Sequence, residues 1–331
     1  MIASASNEFE ALIGHDEAQA LFLDALTSER LHHAWLLTGP KGIGKASLAK
    51  RLTAILLSNS EDGLIDKMHP SIRLLETGAH PDFRMVARAV DAKTGKLKSD
   101  ISVAEVRKLH EFLSTTAAQG GWRIILIDAV DDLNRNAANA LLKILEEPPK
   151  KVVFFLISHA PGRLLPTIRS RCRQLRLNAL SDAQVDMVLS QHMPELDAED
   201  ARELSLLAQG SPGLALELAG AGGAEILKTV NAIFSNAPHI DMNDVHKLGD
   251  MVSKRRKDDG FAIFSQILIQ LLERAVKSDA RGQRELSLPT EALLSFHQDV
   301  LNELSRAQGL NLEPRYVILS LFSRLAQLMK S

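Results

Sequence analysis

Residues 36–52 read "LLTGPKGIGKASLAKRL", and the reading of this stretch decides the fold. The spacing Gly-x-x-x-x-Gly-Lys runs from Gly39 through Gly44 and Lys45, the pattern of a phosphate-binding loop. An apolar run, "AWLLT" (34–38), enters the loop and a helical stretch leaves it from about Lys45. Gly39, Gly42 and Gly44 permit backbone conformations and close approaches that a side chain would block. The loop's N–H groups can converge on phosphate oxygens, aided by the following helix N-terminus. Lys45 supplies a point charge for the β and γ phosphates. The last position of the pattern needs a hydroxyl to hold Mg²⁺, and there the chain has Ala46. Ser47 lies about 100° further round the helix and replaces that hydroxyl only if the register slips.

Working outward, the first half alternates strands and helices. "DFRMVAR" (82–88) alternates like a strand, and "DAKTGKLKSD" (91–100) reads as an exposed turn. Ser102 and Glu105 form a capping-box pair for a helix running through Leu113. "RIILIDAV" (123–130) and "VVFFLIS" (152–158) are continuous apolar runs, as expected of strands buried on both faces of a parallel sheet. The helix between them stops at Pro148-Pro149. Residues 1–178 therefore read as a doubly wound α/β P-loop domain. Beyond them only helical periodicity remains. Ser181 and Gln184 cap a new helix, further helices fall near 198–208 and 213–220, and "GAGGAE" (220–225) marks a boundary. Phe261, Phe264, Leu268, Leu271 and Ala275 share one helical face; Ile318, Leu321, Phe322, Leu325 and Leu328 share another. The expected layout is an α/β domain (1–178), a small helical unit (179–222) and an all-α C-terminal unit (223–331).

A second acidic position accompanies the loop. Asp128 ends an apolar strand, where a carboxylate reaches Mg²⁺ through water, or simply caps the turn. The next residue, often a Glu that activates the attacking water, is Ala129. Asp131 and Asp132 read as helix-start or solvated residues. One chemical group is thus missing from each half of the site.

With 331 residues, 45% hydrophobic and 24% charged, the chain has material for two or three globular domains. Formal net charge is -2, which argues against a dedicated, highly basic DNA-binding domain. Cys172 is the single cysteine, so internal disulfides and cysteine-cluster zinc sites are excluded. The histidines His32, His33, His69 and His80 lack zinc spacing. No apolar run reaches the roughly 18 residues of a membrane span, and "MIASASNEFE" lacks the features of a secretion signal. A cytoplasmic protein is expected.

"RNAANALLKILEEPP" (135–149) and "FFLISHAPGRLLPTIRSRCRQL" (154–175) resemble the bacterial DNA polymerase III clamp loaders, an AAA+ family, as do "LIGHDEA" (12–18) and "RLHHAWLLTGPKGIGK" (30–45). The resemblance covers about the first 220 residues. "AHPDF" (79–83), "GSPGLAL" (210–216) and the imperfect nucleotide site resemble its delta-prime branch. This resemblance implies an AAA+ domain, a helical lid and a helical collar. It implies motor ATPase partners (gamma/tau), a delta subunit, the sliding clamp and primer-template DNA, with no membrane. It implies ATP or ADP at a degenerate cis site, where Gly213 stands in place of the usual sensing arginine. Many delta-prime relatives carry a four-cysteine zinc module after the P-loop helix; here residues 58–80 must hold themselves by other means or be mobile. "SRC" (170–172) matches a motif whose arginine enters the neighbouring subunit's ATP site, which makes Arg171 an arginine finger in trans. An ordinary ion pair is the alternative, since Arg163, Arg169, Arg173 and Arg176 lie nearby. Ser158 falls at the family's polar sensor position, or is a strand-end hydroxyl bonded to backbone. Lys143 reads as a solvated partner of Glu146 or Glu147, with a DNA-facing role as the alternative. His159 reads as solvent-facing and Cys172 as a small buried hydrophobe. Alternatively the chain is an independent P-loop ATPase using Ser47 or water at Mg²⁺, or a scaffold that binds no nucleotide.

Overall fold

The computed structural model describes residues 12–91, 93–118, 121–237, 239–254, 259–280, 282 and 288–329. They form two compact units, divided after Leu180. The expected lid and collar segments both fall in the second.

The first unit holds strands β1 (Ala34–Thr38), β2 (Phe83–Ala87), β3 (Arg123–Asp128), β4 (Val152–Ser158) and β5 (Arg173–Arg176) in one sheet of order β2-β3-β4-β1-β5. Every pairing is parallel. Successive side chains on a strand point to opposite faces, so the continuous apolar runs feed two cores at once. Trp35, Leu37, Phe155 and Ile157 pack on one face, with α1 (Asp16–Thr27) and α2 (Lys45–Ser58). Leu36, Phe154 and Leu156 pack on the other, with α4 (Val103–Ser114) and α5 (Arg135–Glu146). Phe22 of α1 joins the first core, its ring 5.1 Å from Trp35 and 5.6 Å from Phe155. Helices α3 (Pro70–Glu76) and α6 (Pro166–Ser170) complete the unit.

Of two local expectations, the first needs correction. Ser102 precedes α4 but its side chain makes no capping bond; the Glu105 carboxylate instead accepts from Lys108 Nζ at 2.8 Å, one turn along the exposed face. The segment read as an exposed turn is exposed and turned over its described residues, and an isolated antiparallel bridge joins Val90 to Leu97, both exposed. The Asp91 carboxylate accepts the N–H groups of Lys93 and Thr94 and closes its loop.

The second unit is all helical: α7 (Asp182–His192), α8 (Ala198–Leu207), α9 (Pro212–Gly220), α10 (Gly223–Ser235), α11 (Met242–Lys254), α12 (Asp259–Ala280), α13 (Thr290–Leu310) and α14 (Pro314–Leu328). The capping box expected at Ser181 and Gln184 is formed. Phe264, Leu268 and Ala275 of α12 are buried, as are Ile318, Leu321, Phe322 and Leu325 of α14. Among the described residues no helix is long and apolar enough to cross a membrane.

Candidate nucleotide site and surface arginine

The strand register assembles one end of the site. Thr38 lies beside Ser158, and Asp128 beside Ile157, so β1, β3 and β4 finish together. Open α/β sheets bind ligands outside these carboxyl ends. The loop leaves β1 there with Gly39, Gly42 and Gly44 all at positive φ. At Gly39 the φ is +146°, and a Cβ would stand 2.4 Å from the Leu177 carbonyl oxygen, so packing against the chain beyond β5 already demands glycine. Helix α2 begins at Lys45 with Gly44 as its N-cap. The register has not slipped: Ala46 holds the expected hydroxyl position and packs against the core, while Ser47 is exposed.

Lys45 is buried, and its Nζ donates to the carbonyls of Gly39 at 2.7 Å and Pro40 at 2.5 Å. Burial pushes its pKa down to about 8, against the opposing pull of Asp128 and Asp131. Asp131 has a role that sequence reasoning missed. Its carboxylate accepts from Ser158 Oγ at 2.8 Å, from the His159 N–H at 2.6 Å and from the Ala160 N–H at 3.4 Å. It stands in the short 3-10 turn Val130–Asp132, as a helix-start residue would, but its carboxylate is a clasp across the ends of β3 and β4 and not a solvated group. Ser158 is buried and bonds this side chain instead of the backbone. His159 is exposed, and Asp132 pairs with Arg88 at 3.1 Å. A second missed residue is His15, whose Nε2 bonds the Ile43 carbonyl at 2.6 Å and ties the loop to the chain before α1.

Arg171 lies at the C-terminal end of α6, its side chain 35% exposed. One guanidinium nitrogen pairs with Glu146 Oε1 at 2.9 Å, and the other terminal nitrogen donates to the Thr167 carbonyl at 3.1 Å. Glu146 is thus engaged by Arg171, while Lys143 is exposed and, among the described residues, forms no ion pair with Glu146 or Glu147. Cys172 beside it is partly buried against the core, and burial pushes its thiol up to about 12.

A family model described as "DNA polymerase III, delta subunit" matches residues 14–181, just over half of the chain. The chain belongs to this family. Over 195 residues it is 40% identical to DNA polymerase III subunit delta' of Pseudomonas aeruginosa, covering 58% of this chain and 57% of that one. Over 209 residues it is 34% identical to DNA polymerase III subunit tau of Escherichia coli, covering 62% of this chain and 31% of the relative. It therefore spans little more than half the length of the first of these relatives and less of the second. The structure of a DNA polymerase III gamma subunit-related protein from Thermotoga maritima superposes with a TM-score of 0.50 at 18% identity, over 93% of this chain and 99% of that one. That likeness bears on the fold alone.

How far this delta-family site fits a nucleotide can be read from its donors. Among the described residues, no backbone carbonyl takes the N–H of Gly42, Ile43 or Gly44. Those amides and Lys45 fit phosphate oxygens, provided Lys45 exchanges its two loop carbonyls for them. Magnesium fits less well, because Ala46 offers no ligand and Asp131 is already committed to Ser158. Among the described residues no three His, Cys, Asp or Glu side chains gather as metal ligands. Residues 58–80, which lack cysteines, are held by other means. His69 Nδ1 caps α3 by accepting from the Ser71 N–H. Arg51 donates to Gln19 Oε1 at 2.7 Å and to the Gly63 carbonyl at 3.3 Å.

Proposed function

We propose that this chain is a delta-prime-type clamp-loader subunit that acts mainly on a neighbour's nucleotide, through Arg171, and turns over little in its own site. The observation that carries the reading is an asymmetry. Its own site lacks the hydroxyl at Ala46 and the acid at Ala129, its lysine is bonded to its own loop, and the resemblance puts Gly213 where hydrolysing relatives usually carry a sensing arginine. Arg171, by contrast, is a partly exposed cation at a surface helix end. A guanidinium is always charged and offers parallel donors to phosphate oxygens. Placed against a neighbour's transferring phosphate, it would stabilise the charge that develops there.

On this reading the partners are motor ATPase subunits of the gamma/tau kind, a delta subunit, a sliding clamp and primer-template DNA, in the bacterial cytoplasm. In its own site the amides of residues 42–44 and Lys45 would hold ATP or ADP by its phosphates. Asp128 would face any metal through water, and the Ser158–Asp131 clasp would fix the end of β4. A self-closed loop that binds nothing is the second reading, favoured by the bonds from Lys45 to Gly39 and Pro40. Titration with ATP, with and without Mg²⁺, separates the two.

The deciding experiment is Arg171→Ala in a loader reconstituted with tau or gamma subunits. Clamp-loading ATPase falls by about tenfold or more, because a finger in trans contributes several powers of ten at the site it serves. Wild-type turnover in that variant removes the finger assignment. Hydrolysis by the isolated chain, abolished by Lys45→Ala, would instead make it an independent ATPase.

A further inference from the structure

Glu146 closes α5, and Glu147 follows it. A carboxylate at a helix C-terminus opposes the helix dipole, so local helix energetics do not explain an acidic residue here. Its contact does: Glu146 Oε1 lies 2.9 Å from the Arg171 guanidinium, which the Thr167 carbonyl holds from another nitrogen at 3.1 Å. These two anchors come from different elements, the end of α5 and the body of α6. An arginine side chain has many rotamers and loses that freedom when it engages a ligand. Two bonds fix the guanidinium in advance and use two of its five N–H donors. The remaining donors stay available to an anion.

We infer that Glu146 is the positioning residue for Arg171: it orients the guanidinium for a phosphate supplied by a neighbouring subunit. This rests on the reading of Arg171 as the residue acting in trans. Because the pair is partly solvent-exposed, its effect is moderate and screened by salt. Preorganisation of a group that acts in the transition state changes kcat and leaves KM nearly alone.

The test uses the assembled loader and compares Glu146→Ala, Glu146→Gln, Arg171→Ala and the double variant. Glu146→Ala lowers kcat about fivefold at low salt, with KM for ATP unchanged. Glu146→Gln, which keeps an oxygen acceptor, recovers much of that loss. The double variant is no slower than Arg171→Ala alone, since Glu146 acts only through the arginine. Wild-type kcat in Glu146→Ala overturns the inference, and so do losses that multiply in the double variant, which would mark a purely structural role. Wild-type kcat in Arg171→Ala is a different failure: it removes the finger reading itself, and this inference with it.

Discussion

The ammonium of Lys45 is pulled in two directions. Burial disfavours its charge, while Asp128 and Asp131 favour it, and burial prevails, leaving a pKa of about 8 against an ordinary 10.5. The unfolded chain keeps that proton up to about pH 10.5, whereas the folded chain releases it from about pH 8. Between those values the unfolded state binds more protons, so this group makes stability rise with pH. Below pH 8 both states are protonated and the folded state bears the whole desolvation cost. Urea unfolding of wild type and Lys45→Met at pH 7.5, 9 and 10.5 should expose this. The wild-type value minus the variant value should climb by up to roughly 3 kcal/mol across the window; a flat or falling difference would refute the conflict. The glycines, Lys45 and Asp128 were legible because their spacing along the chain is the signal. His15 and Asp131 were not, because their bonds reach 28 and 27 residues away. The β3–β4 register brings Asp131 to Ser158, and the packing of the chain before α1 against the loop brings His15 to Ile43.

Arg123 shows how an element depends on one buried charge. It opens β3, yet its side chain crosses to the end of α4, where one terminal nitrogen donates to the carbonyls of Phe112, Leu113 and Thr115. Helix C-terminal carbonyls lack intrahelical donors and carry partial negative charge, so a buried guanidinium answers both needs. Arg123→Met keeps the stem but strands those carbonyls, at a cost of about 3 kcal/mol. Hydrogen exchange should report it as lost protection concentrated in the last turn of α4; uniform loss across the sheet would contradict the capping role. Strands β1, β3 and β4 were readable to within two residues because sequential apolar runs can only be buried on both faces. β5 was not, because "RQLR" buries Leu175 alone and its other side chains are exposed. The Ser102 capping box failed for a related reason: a short polar pattern states what is possible, and Lys108 offered Glu105 a competing partner.

The whole molecule divides its work between two units, each with its own core. The helical unit was legible as helices but not as packing, since apolar periodicity marks a buried face without naming what covers it. Phe322 is a case in point. Its place on the apolar stripe of α14 was evident, but its neighbour Phe234 of α10, with rings 5.9 Å apart, lies 88 positions earlier in the numbering. Phe322→Ala removes a fully buried ring and should cost about 3–5 kcal/mol, depending on how far the cavity collapses. Because both cores flanking the sheet are made wholly of residues before Leu180, the loss should be unequal. Exchange protection should drop in α10, α11 and α14 while the amides of β1, β3 and β4 keep theirs. Equal loss in both units would mean that the chain unfolds as one cooperative body. In that case the sheet unit could not be perturbed separately from the helices that follow it, and variants in α14 would weaken the Lys45 loop as much as their own core.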